Sequence, residues 1–594
     1  MATIIGLSIS AQEEPLYQST LKTSWGENIM AQNVWQEYPR PSLSRTEWQN
    51  LNGYWDYAIL PKGSQKPSSF DGKILVPFPV ESQLSGVQKM VGEKNELWYN
   101  RNFNIPSKWS GKRIMLNFGA VDWKADVWVN GVNVGSHEGG YTPFSFDITD
   151  ALKKGENNLS VRVFDPTDNG TQPRGTQVNK PNFIWYTPVT GIWQTVWLEP
   201  VANSHIENLK ITPDVENNRL LISASTGGNG VVKVSVLDGN KVVATGSGLS
   251  NSEMEVQMPA DVKLWTPDSP YIYNLAITFN QNGKEVDKVS SYTAMRSIGT
   301  ARDKEGVLRF TLNGKQIFHF GPLDQGWWPD GLYTPPSYEA MIYDIDKTKE
   351  MGFNMIRKHI KVEPELWYEY CDRHGILVWQ DMPSGDITKE WQNYNYFKGE
   401  ELQRSEESAN RFRKEWQEIM THLYNHPAIA VWVPFNEAWG QFDTKKVAEW
   451  TKKFDPTRLV NPASGGNFFY DCGDILDVHH YPHPRITLLN GDKANVLGEY
   501  GGIGYPIREH LWKPDQNWGY IEFKSPSDVT DKYVEYVKAL ESLAKIAYTG
   551  AVYTQTTDVE IEVNGLLTYD RKMVKVEIPR IREANKSIID KFSE

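Results

Sequence analysis

The chain has 594 residues, a formal net charge of −12 and a pI of about 5.6. This length predicts three or four domains, and an acidic chain with no dense lysine or arginine tract is not expected to bind nucleic acid. No stretch after the N-terminus approaches the ~18 apolar residues of a membrane span, and the two cysteines, Cys371 and Cys472, predict neither a disulfide framework nor a zinc site.

The N-terminal segment MATIIGLSISAQEEP has the features of the last part of a signal peptide. An apolar run is followed by small residues at Ser8-Ile9-Ser10-Ala11. The charged region that usually opens a signal peptide is missing, so a frayed terminus is the alternative. We expect residues 1–32 to be this leader with a short lead segment, and we expect a periplasmic or secreted protein.

Residues 33–200 show short alternating apolar runs separated by turn signals. This pattern predicts an antiparallel β-sandwich of jelly-roll type. In ADVWVNGVNVG, the pair Asn130-Gly131 between two such runs predicts a hairpin with a type I′ turn. The loop from Gln172 to Gln177 is polar and has no periodicity, so it is a candidate for reaching a neighbouring domain. Arg174 in this loop is therefore a candidate substrate contact.

Residues 201–298 form a second all-β unit by the same criteria. The run VVKVSVLDGNKVVAT predicts a hairpin that turns at Asp238-Gly239-Asn240. No reactive combination of residues is found here. We expect an immunoglobulin-like β-sandwich that acts as a spacer.

In residues 299–594 strands alternate with helical segments. The apolar period changes from two to 3.6 between successive runs, which indicates βα units and a parallel sheet. Counting the predicted strands in order gives eight, from IFHFGPLD to GAVYTQTTD. We therefore predict a C-terminal (β/α)8 TIM barrel.

Two stretches of this barrel end a buried apolar run on a carboxylate. In HPAIAVWVPFNEAWG the run is followed by Asn436 and Glu437, and in NVLGEYGG it is followed by Glu499. Barrel enzymes place their chemistry at the carboxyl ends of strands, although Asn-Glu could also begin a helix. Cleavage of a glycosidic bond requires two such carboxyl groups.

The order of the domains, together with FNMIRKH, DRHGILVWQD and NHPAIAVWVPFNEAWG, resembles glycoside hydrolase family 2. This family includes β-galactosidases, β-glucuronidases and β-mannosidases. The resemblance implies a retaining mechanism with Glu437 as the acid/base, its pKa raised, and Glu499 as the nucleophile. It also implies that Asn436 binds the sugar 2-hydroxyl and that Tyr481 donates a hydrogen bond to the nucleophile.

Further polar or aromatic side chains near strand ends are candidate sugar contacts. They are His479, Asp324, Gln325, Arg357, His359, Asp381, Trp439 and Gln555. The alternative for the strand-end polar residues is an ion pair or hydrogen bond inside the barrel. The cluster His479, His480 and His483 suggests a metal, but Pro482 and Pro484 break any helical spacing, so we predict no metal and no cofactor.

Three departures from the family pattern bear on the substrate. A single residue, Lys358, separates Arg357 from His359; strand eight reads Val-Tyr-Thr-Gln where the family usually has Trp; and the Asn-x-Lys of glucuronidases does not follow Glu499. We therefore expect an exo-β-glycosidase that removes a neutral sugar from plant or algal oligosaccharides, as a β-galactosidase does. Arg357, Lys358 or Lys361 could bind an acidic sugar by another route. A β-glucuronidase or another family activity, and a non-catalytic carbohydrate-binding protein, are the alternatives. The oligomeric state is open, and a homo-oligomer is compatible with the sequence.

Overall fold

The computed structural model describes residues 16–386 and 401–594. The predicted signal segment at residues 8–11 lies outside these ranges. Within them, no helix combines the length and the apolar character that crossing a membrane requires.

The first domain is a β-sandwich. Asn130 (φ 52°) and Gly131 (φ 83°) occupy the left-handed region between two paired strands, which confirms the predicted type I′ hairpin. A four-stranded sheet contains Gln49–Asn50, Val196–Val201, Arg113–Phe118 and Phe144–Asp147 in that order. A six-stranded sheet contains Gly72–Val76, Gly53–Pro61, Asn95–Asn104, Glu156–Phe164, Lys124–Val129 and Val132–Glu138. The short strands Val121–Asp122 and Gly191–Ile192 pair separately.

The second domain consists of two antiparallel sheets that share one apolar core. The predicted hairpin at Asp238 is present, since Asp238 pairs with Lys241. The three-stranded sheet contains Ile206–Asp214, Arg219–Thr226 and Glu253–Gln257. The four-stranded sheet contains Lys241–Leu249, Val231–Asp238, Tyr273–Gln281 and Lys284–Thr293. A small antiparallel sheet of Ile298–Arg302, Leu308–Leu312 and Lys315–Gln316 then leads into the third domain.

The third domain is the predicted eight-stranded parallel barrel. Its strands are β1 His319–Asp324, β2 Met355–Lys358, β3 Leu377–Asp381, β4 Ile429–Val433, β5 Leu459–Val460, β6 Ile475–His480, β7 Ala494–Gly501 and β8 Tyr548–Thr554. The ladder runs from β5 through β4, β3, β2, β1, β8 and β7 to β6. In the described residues no ladder joins β5 to β6, but the Asp474 amide donates to the Val460 carbonyl at 2.8 Å across this gap. The barrel is therefore nearly closed.

Six α-helices of the described ranges surround the barrel, and three of them begin at a serine cap. They are α1 Tyr338–Glu350, α2 Glu365–His374, α3 Glu406–Leu423, α4 Thr444–Phe454, α5 Pro526–Ile546 and α6 Ile578–Lys591. The side chains of Ser337, Ser405 and Ser525 accept a hydrogen bond from a first-turn amide of α1, α3 and α5. Helix α2 ends at Gly375, whose φ of 71° suits a glycine. A pair of short parallel strands, Ile503–Gly504 and Ile521–Glu522, lies outside the barrel.

The polar loop of the first domain reaches the barrel. The amides of Arg174 and Gly175 donate to the Ser384 carbonyl at 3.4 and 2.9 Å, just beyond β3. A Cβ at Gly175 would lie 2.8 Å from the Ile360 carbonyl, and φ there is 66°, so this approach requires glycine. The first sandwich is thereby fixed against the carboxyl end of the barrel, where the candidate site lies.

Candidate active site

Glu437 lies in the loop that follows β4. The five residues of β4 are all buried, and the chain leaves the strand at Pro434. Glu437 and Ala438 have φ angles of 49° and 63°, which non-glycine residues rarely adopt and which cost ~1–3 kcal/mol each. The Glu437 amide donates to the Ser464 carbonyl at 2.8 Å and fixes this conformation. The alternative that Asn-Glu begins a helix is wrong, because the next helix, α4, begins at Thr444.

Glu499 lies within β7 and is 4% exposed. The pairing of β7 with β8 shifts register between Leu497 and Tyr500, so Glu499 lies at a local irregularity of the sheet. The Tyr481 hydroxyl donates to Glu499 Oε2 at 2.6 Å. This contact is the one that the family resemblance implies.

Arg357, near the end of β2, connects the loop that contains Glu437 with Glu499 on β7. Its guanidinium donates to both oxygens of Asp381 at 3.1 and 2.8 Å, to Glu499 Oε1 at 3.1 Å and to Asn436 Oδ1 at 2.6 Å. Because a guanidinium presents its donors in a rigid plane, these contacts fix Asn436 and Glu499 relative to each other. Asn436 Nδ2 is buried and has no hydrogen-bond partner in the described part of the chain.

His479, on β6, contacts both carboxylates. Its Nδ1 lies 2.9 Å from Glu437 Oε1 and 3.4 Å from Glu499 Oε2. Its Nε2 lies 2.8 Å from Ser464 Oγ, and the single hydroxyl proton of Ser464 is donated to Asp477 Oδ2 at 2.6 Å. Ser464 must therefore accept from Nε2–H, which leaves the lone pair of Nδ1 towards Glu437 when the ring is neutral.

The two carboxyl groups are close together. One oxygen of Glu437, one oxygen of Glu499 and a ring nitrogen of His479 all lie within 4.8 Å of one another. These donor types could also hold a divalent cation. The hydrogen bonds that the two carboxyl groups make with His479, Tyr481 and Arg357 account for their approach without one.

Burial governs protonation at the site. The pKa of Glu499 is raised to about 7, because burial and the nearby Glu437 raise it by more than His479, Arg357 and the hydrogen bond from Tyr481 lower it. Burial lowers the pKa of His479, and burial with the charge of Arg357 holds the pKa of His359 well below its usual range. Both rings are therefore neutral near pH 7. Neither ring nitrogen of His359 has a hydrogen-bond partner among the described residues.

Several candidate sugar contacts have internal partners. Asp324 accepts from Lys358 Nζ at 2.7 Å, as the alternative of an ion pair inside the barrel predicts. Gln325 Nε2 donates to Gln555 Oε1 at 2.7 Å and to the Tyr186 hydroxyl at 2.8 Å, so this pair connects β1 and β8 to the first sandwich. Their contact with a sugar stays a prediction.

Arg174 and Trp439 occupy the border between the first sandwich and the barrel. The Arg174 guanidinium donates to the carbonyls of Gln177 at 3.1 Å and Asp386 at 2.5 Å. The Trp439 carbonyl accepts from Ser384 Oγ at 2.8 Å. Arg174 thus docks the loop onto the barrel, and its contact with substrate stays a prediction.

Two residues of the site were not among the predicted ones. Ser464 and Asp477 hold His479 in place, and Asn461 Nδ2 donates to the same Asp477 oxygen at 2.7 Å. Ser464 follows the short strand β5 in LVNPASGG, so its position just beyond a strand was a usable signal. Asp477 lies two residues before His479 and shares its face of β6.

The fold and the site define a class: two β-sandwiches followed by a (β/α)8 barrel with paired carboxylates at its carboxyl end. Models of glycosyl hydrolases family 2 match all three domains, namely the sugar binding domain at residues 48–199, the central domain at residues 204–296 and the TIM barrel domain at residues 310–483. The chain belongs to glycosyl hydrolase family 2.

Similar proteins carry two different activity names. A β-galactosidase of Thermoanaerobacter pseudethanolicus is 28% identical over 436 residues, covering 70% of this chain and 55% of that protein. A β-glucuronidase of Paenibacillus borealis is 27% identical over 451 residues, covering 72% and 73%. The match therefore spans about half the length of the first relative. The solved β-glucuronidase of Dictyoglomus thermophilum shares the fold, with a TM-score of 0.72, 20% identity and coverage of 92% of this chain and 98% of that one.

Proposed function

We propose that the protein is a retaining exo-β-glycosidase that removes a terminal neutral sugar from plant or algal oligosaccharides. The observation that carries the proposal is the closeness of the two carboxyl groups: one oxygen of Glu437 lies within 4.8 Å of one oxygen of Glu499. Retaining glycosidases hold their two carboxyl groups ~5–5.5 Å apart, whereas inverting enzymes leave ~6.5–9.5 Å for a water molecule.

The hydrogen bonds support different roles for the two carboxyl groups. Glu499 receives two donors, the Tyr481 hydroxyl and the Arg357 guanidinium, and donors favour the ionised form of a carboxylate. Glu437 faces the lone pair of His479 Nδ1, and an acceptor favours the protonated form. The proton shared by the pair therefore belongs on Glu437, the acid, and the charge belongs on Glu499, the nucleophile.

The reaction then takes two steps. Glu499 attacks the anomeric carbon while Glu437 gives its proton to the departing oxygen, and a glycosyl ester forms on Glu499. Glu437 next removes a proton from water, the water oxygen attacks the anomeric carbon, and Glu499 leaves as a carboxylate. Two inversions give net retention. Among the described residues, the unpaired Nδ2 of Asn436 and the single N–H of the neutral His359 ring can donate to sugar hydroxyls, and the other ring nitrogen of His359 can accept.

Three cationic side chains near the site, Arg357, Lys358 and Lys361, are already bound to groups of the protein, which favours a neutral sugar. Arg357 is bound to Asp381, Asn436 and Glu499. Lys358 donates to Asp324 and to Glu363, and all of these side chains are buried.

The third cation, Lys361, donates to the carbonyls of Gly326 and Tyr333 at 2.6 and 2.8 Å. A uronic acid would have to displace these internal contacts to find a cation here. A β-galactoside is therefore the first candidate, and a β-glucuronide is the second because relatives of similar identity are named β-glucuronidases.

A panel of 4-nitrophenyl glycosides tests the function. Purified protein and its Glu499→Ala variant are given the β-galactoside, β-glucuronide, β-glucoside and β-mannoside. We expect cleavage of the β-galactoside that disappears in the variant. Cleavage of the β-glucuronide alone would show that the substrate carries glucuronic acid and not a neutral sugar. Binding of natural oligosaccharides without cleavage of any glycoside would favour a carbohydrate-binding protein.

We also propose that the protein is exported. Support comes from the small residues Ser8-Ile9-Ser10-Ala11 after an apolar run. N-terminal sequencing of the protein recovered from its native cells should find a chain that begins at Gln12. An intact N-terminus in the cytoplasmic fraction would contradict export.

A further inference from the structure

A tight turn of the first sandwich lies against the mouth of the barrel. The amides of Asn182 and Trp185 donate to each other's carbonyls at 2.9 and 3.1 Å, so the chain reverses over four residues. Phe183, at the tip, has a φ of 60° and is 42% exposed. A large apolar side chain held outward in this conformation is not explained by packing of the sandwich core.

Phe183 begins a row of aromatic rings that ends at the nucleophile. Its ring stacks on Trp518 at 4.2 Å, and Trp518 Nε1 donates to the Phe183 carbonyl at 3.2 Å. The ring centroids of Trp518 and Tyr520 are 5.3 Å apart. Tyr520 stacks on Tyr481 with a centroid distance of 3.9 Å and an interplanar angle of 5°. Because the Tyr481 hydroxyl bonds Glu499, the row connects the sandwich surface to the reacting centre.

The same turn also contacts the loop after β4, which contains the proposed acid Glu437. The Trp185 ring lies 4.5 Å from the ring of Trp439, which is only two residues beyond Glu437. Trp439 in turn lies 6.4 Å from the ring of His359. Through aromatic contacts, one turn of the sandwich therefore reaches Tyr481, which bonds Glu499, and Trp439, which lies in the same loop as Glu437.

We propose that this aromatic rim, formed by Phe183, Trp185, Trp439, Trp518 and Tyr520, binds the leaving group of the substrate. The inference rests on the proposed function and adds the class of leaving group, a pyranose or an aryl ring. In an exo-acting enzyme the leaving group extends from the acid towards solvent, and Trp185 and Trp439 lie on the side of Glu437. The apolar face of such a ring packs on an aromatic side chain.

The rim accounts for a role of the sandwich in catalysis. Contacts with a remote part of the substrate can be used to orient the reacting bond, so their loss lowers kcat as well as binding. A substrate with no ring in its leaving group makes no such contact. Removal of a rim residue should therefore affect only ring-bearing substrates.

Paired substrates test the rim. Methyl and phenyl β-galactosides, and the matching β-glucuronides, are compared on wild type, Phe183→Ala, Trp185→Ala and Trp185→Phe. Each lost ring should lower kcat/KM for the phenyl glycoside by about 10-fold and leave the methyl glycoside within about twofold. Trp185→Phe should restore most of the loss. Tyr54→Ala, an exposed ring elsewhere on the same sandwich, is the control and should change neither substrate.

The outcomes separate the rim from the proposed function. Equal losses on methyl and phenyl glycosides, or no loss on either, would overturn the rim while leaving a working glycosidase. A wild type that cleaves no glycoside would refute the proposed function instead. In that case quenching of tryptophan fluorescence by phenyl β-galactoside, present in wild type and lost in Trp185→Ala, would still support the rim, and its absence would overturn it.

Discussion

The surroundings of the two carboxylates differ although the groups lie within one small site. Glu499 has 6% of its side chain exposed and receives hydrogen bonds from a tyrosine and an arginine. Glu437 has 10% of its side chain exposed and a left-handed backbone conformation. It faces Nδ1 of His479, whose Nε2 is hydrogen-bonded to Ser464. The comparison teaches that the hydrogen-bond donors and acceptors around each group, more than burial, favour a charge on Glu499 and a proton on Glu437, which are the states that the proposed roles require.

The largest expected effect comes from Glu499→Ala. Without the attacking carboxylate no covalent intermediate forms, so kcat should fall about 10⁵- to 10⁶-fold on every glycoside. Steady-state rates on 4-nitrophenyl and natural substrates measure this loss. A variant that keeps more than about 1% of wild-type activity would show that Glu499 is not the nucleophile.

Glu437→Ala should distinguish between leaving groups. A poor leaving group needs the proton, so hydrolysis of an alkyl glycoside should fall about 10²- to 10⁴-fold. Cleavage of a 2,4-dinitrophenyl glycoside should fall much less, because its phenolate departs unprotonated. Equal losses on both substrates would contradict the role of Glu437 as the acid.

Arg357→Lys tests the residue that connects Glu499 with Asn436, the neighbour of Glu437. Lysine keeps the charge but has only three donors, so it cannot replace the four hydrogen bonds from Arg357 to Asp381, Asn436 and Glu499, and we expect kcat/KM to fall about 100-fold. The free energy of unfolding should fall by about 2–3 kcal/mol, because buried acceptors lose a charged donor. Denaturant unfolding measures it. The control, Arg302→Lys in the exposed pair with Asp492, should change stability by less than about 1 kcal/mol.

His479→Phe should change the pH profile and leave the fold intact. Removing the acceptor that faces Glu437 makes the protonated form of that carboxyl group less favoured, so the alkaline limb of kcat/KM should move to lower pH. The rate on poor leaving groups should fall about 10-fold. An unshifted alkaline limb would show that His479 is only structural.

The smallest effect concerns the acid limb. The pKa of Glu499 is raised to about 7, and its ionised form must attack, so kcat/KM should decline as the pH falls through about 7. In the proposed account Glu437 keeps its proton over this limb, so Glu437→Gln, which is also uncharged, should leave the acid limb in place on an activated aryl glycoside. A limb that moves to lower pH would show that Glu437 is ionised while Glu499 titrates.

The sequence predicted the parts of the molecule that local patterns encode. The eight barrel strands, the glycine-containing hairpins and the placement of Glu437 just beyond β4 and of Glu499 in the last part of β7 all follow from apolar period and turn residues. Helix α6 was missed, although Pro579 and the spacing of Ile581 and Ile588 are helical signals.

Contacts between distant segments could not be predicted. Asp324 and Gln325 are adjacent in the chain, yet one pairs with a lysine on β2 and the other with a glutamine beyond β8. Phe183 and Trp518 come from loops of two domains and carry no periodic signal. Their meeting depends on how the sandwich docks on the barrel.

The stereochemistry of azide rescue tests the central claim most directly. Azide replaces the missing carboxylate, so Glu499→Ala should yield the α-glycosyl azide by a single inversion. Glu437→Ala should yield the β-glycosyl azide, because azide then attacks the covalent intermediate on Glu499. The anomeric proton coupling in NMR identifies each product. A β-glycosyl azide from Glu499→Ala and an α-glycosyl azide from Glu437→Ala would exchange the roles of the two carboxylates and contradict the account.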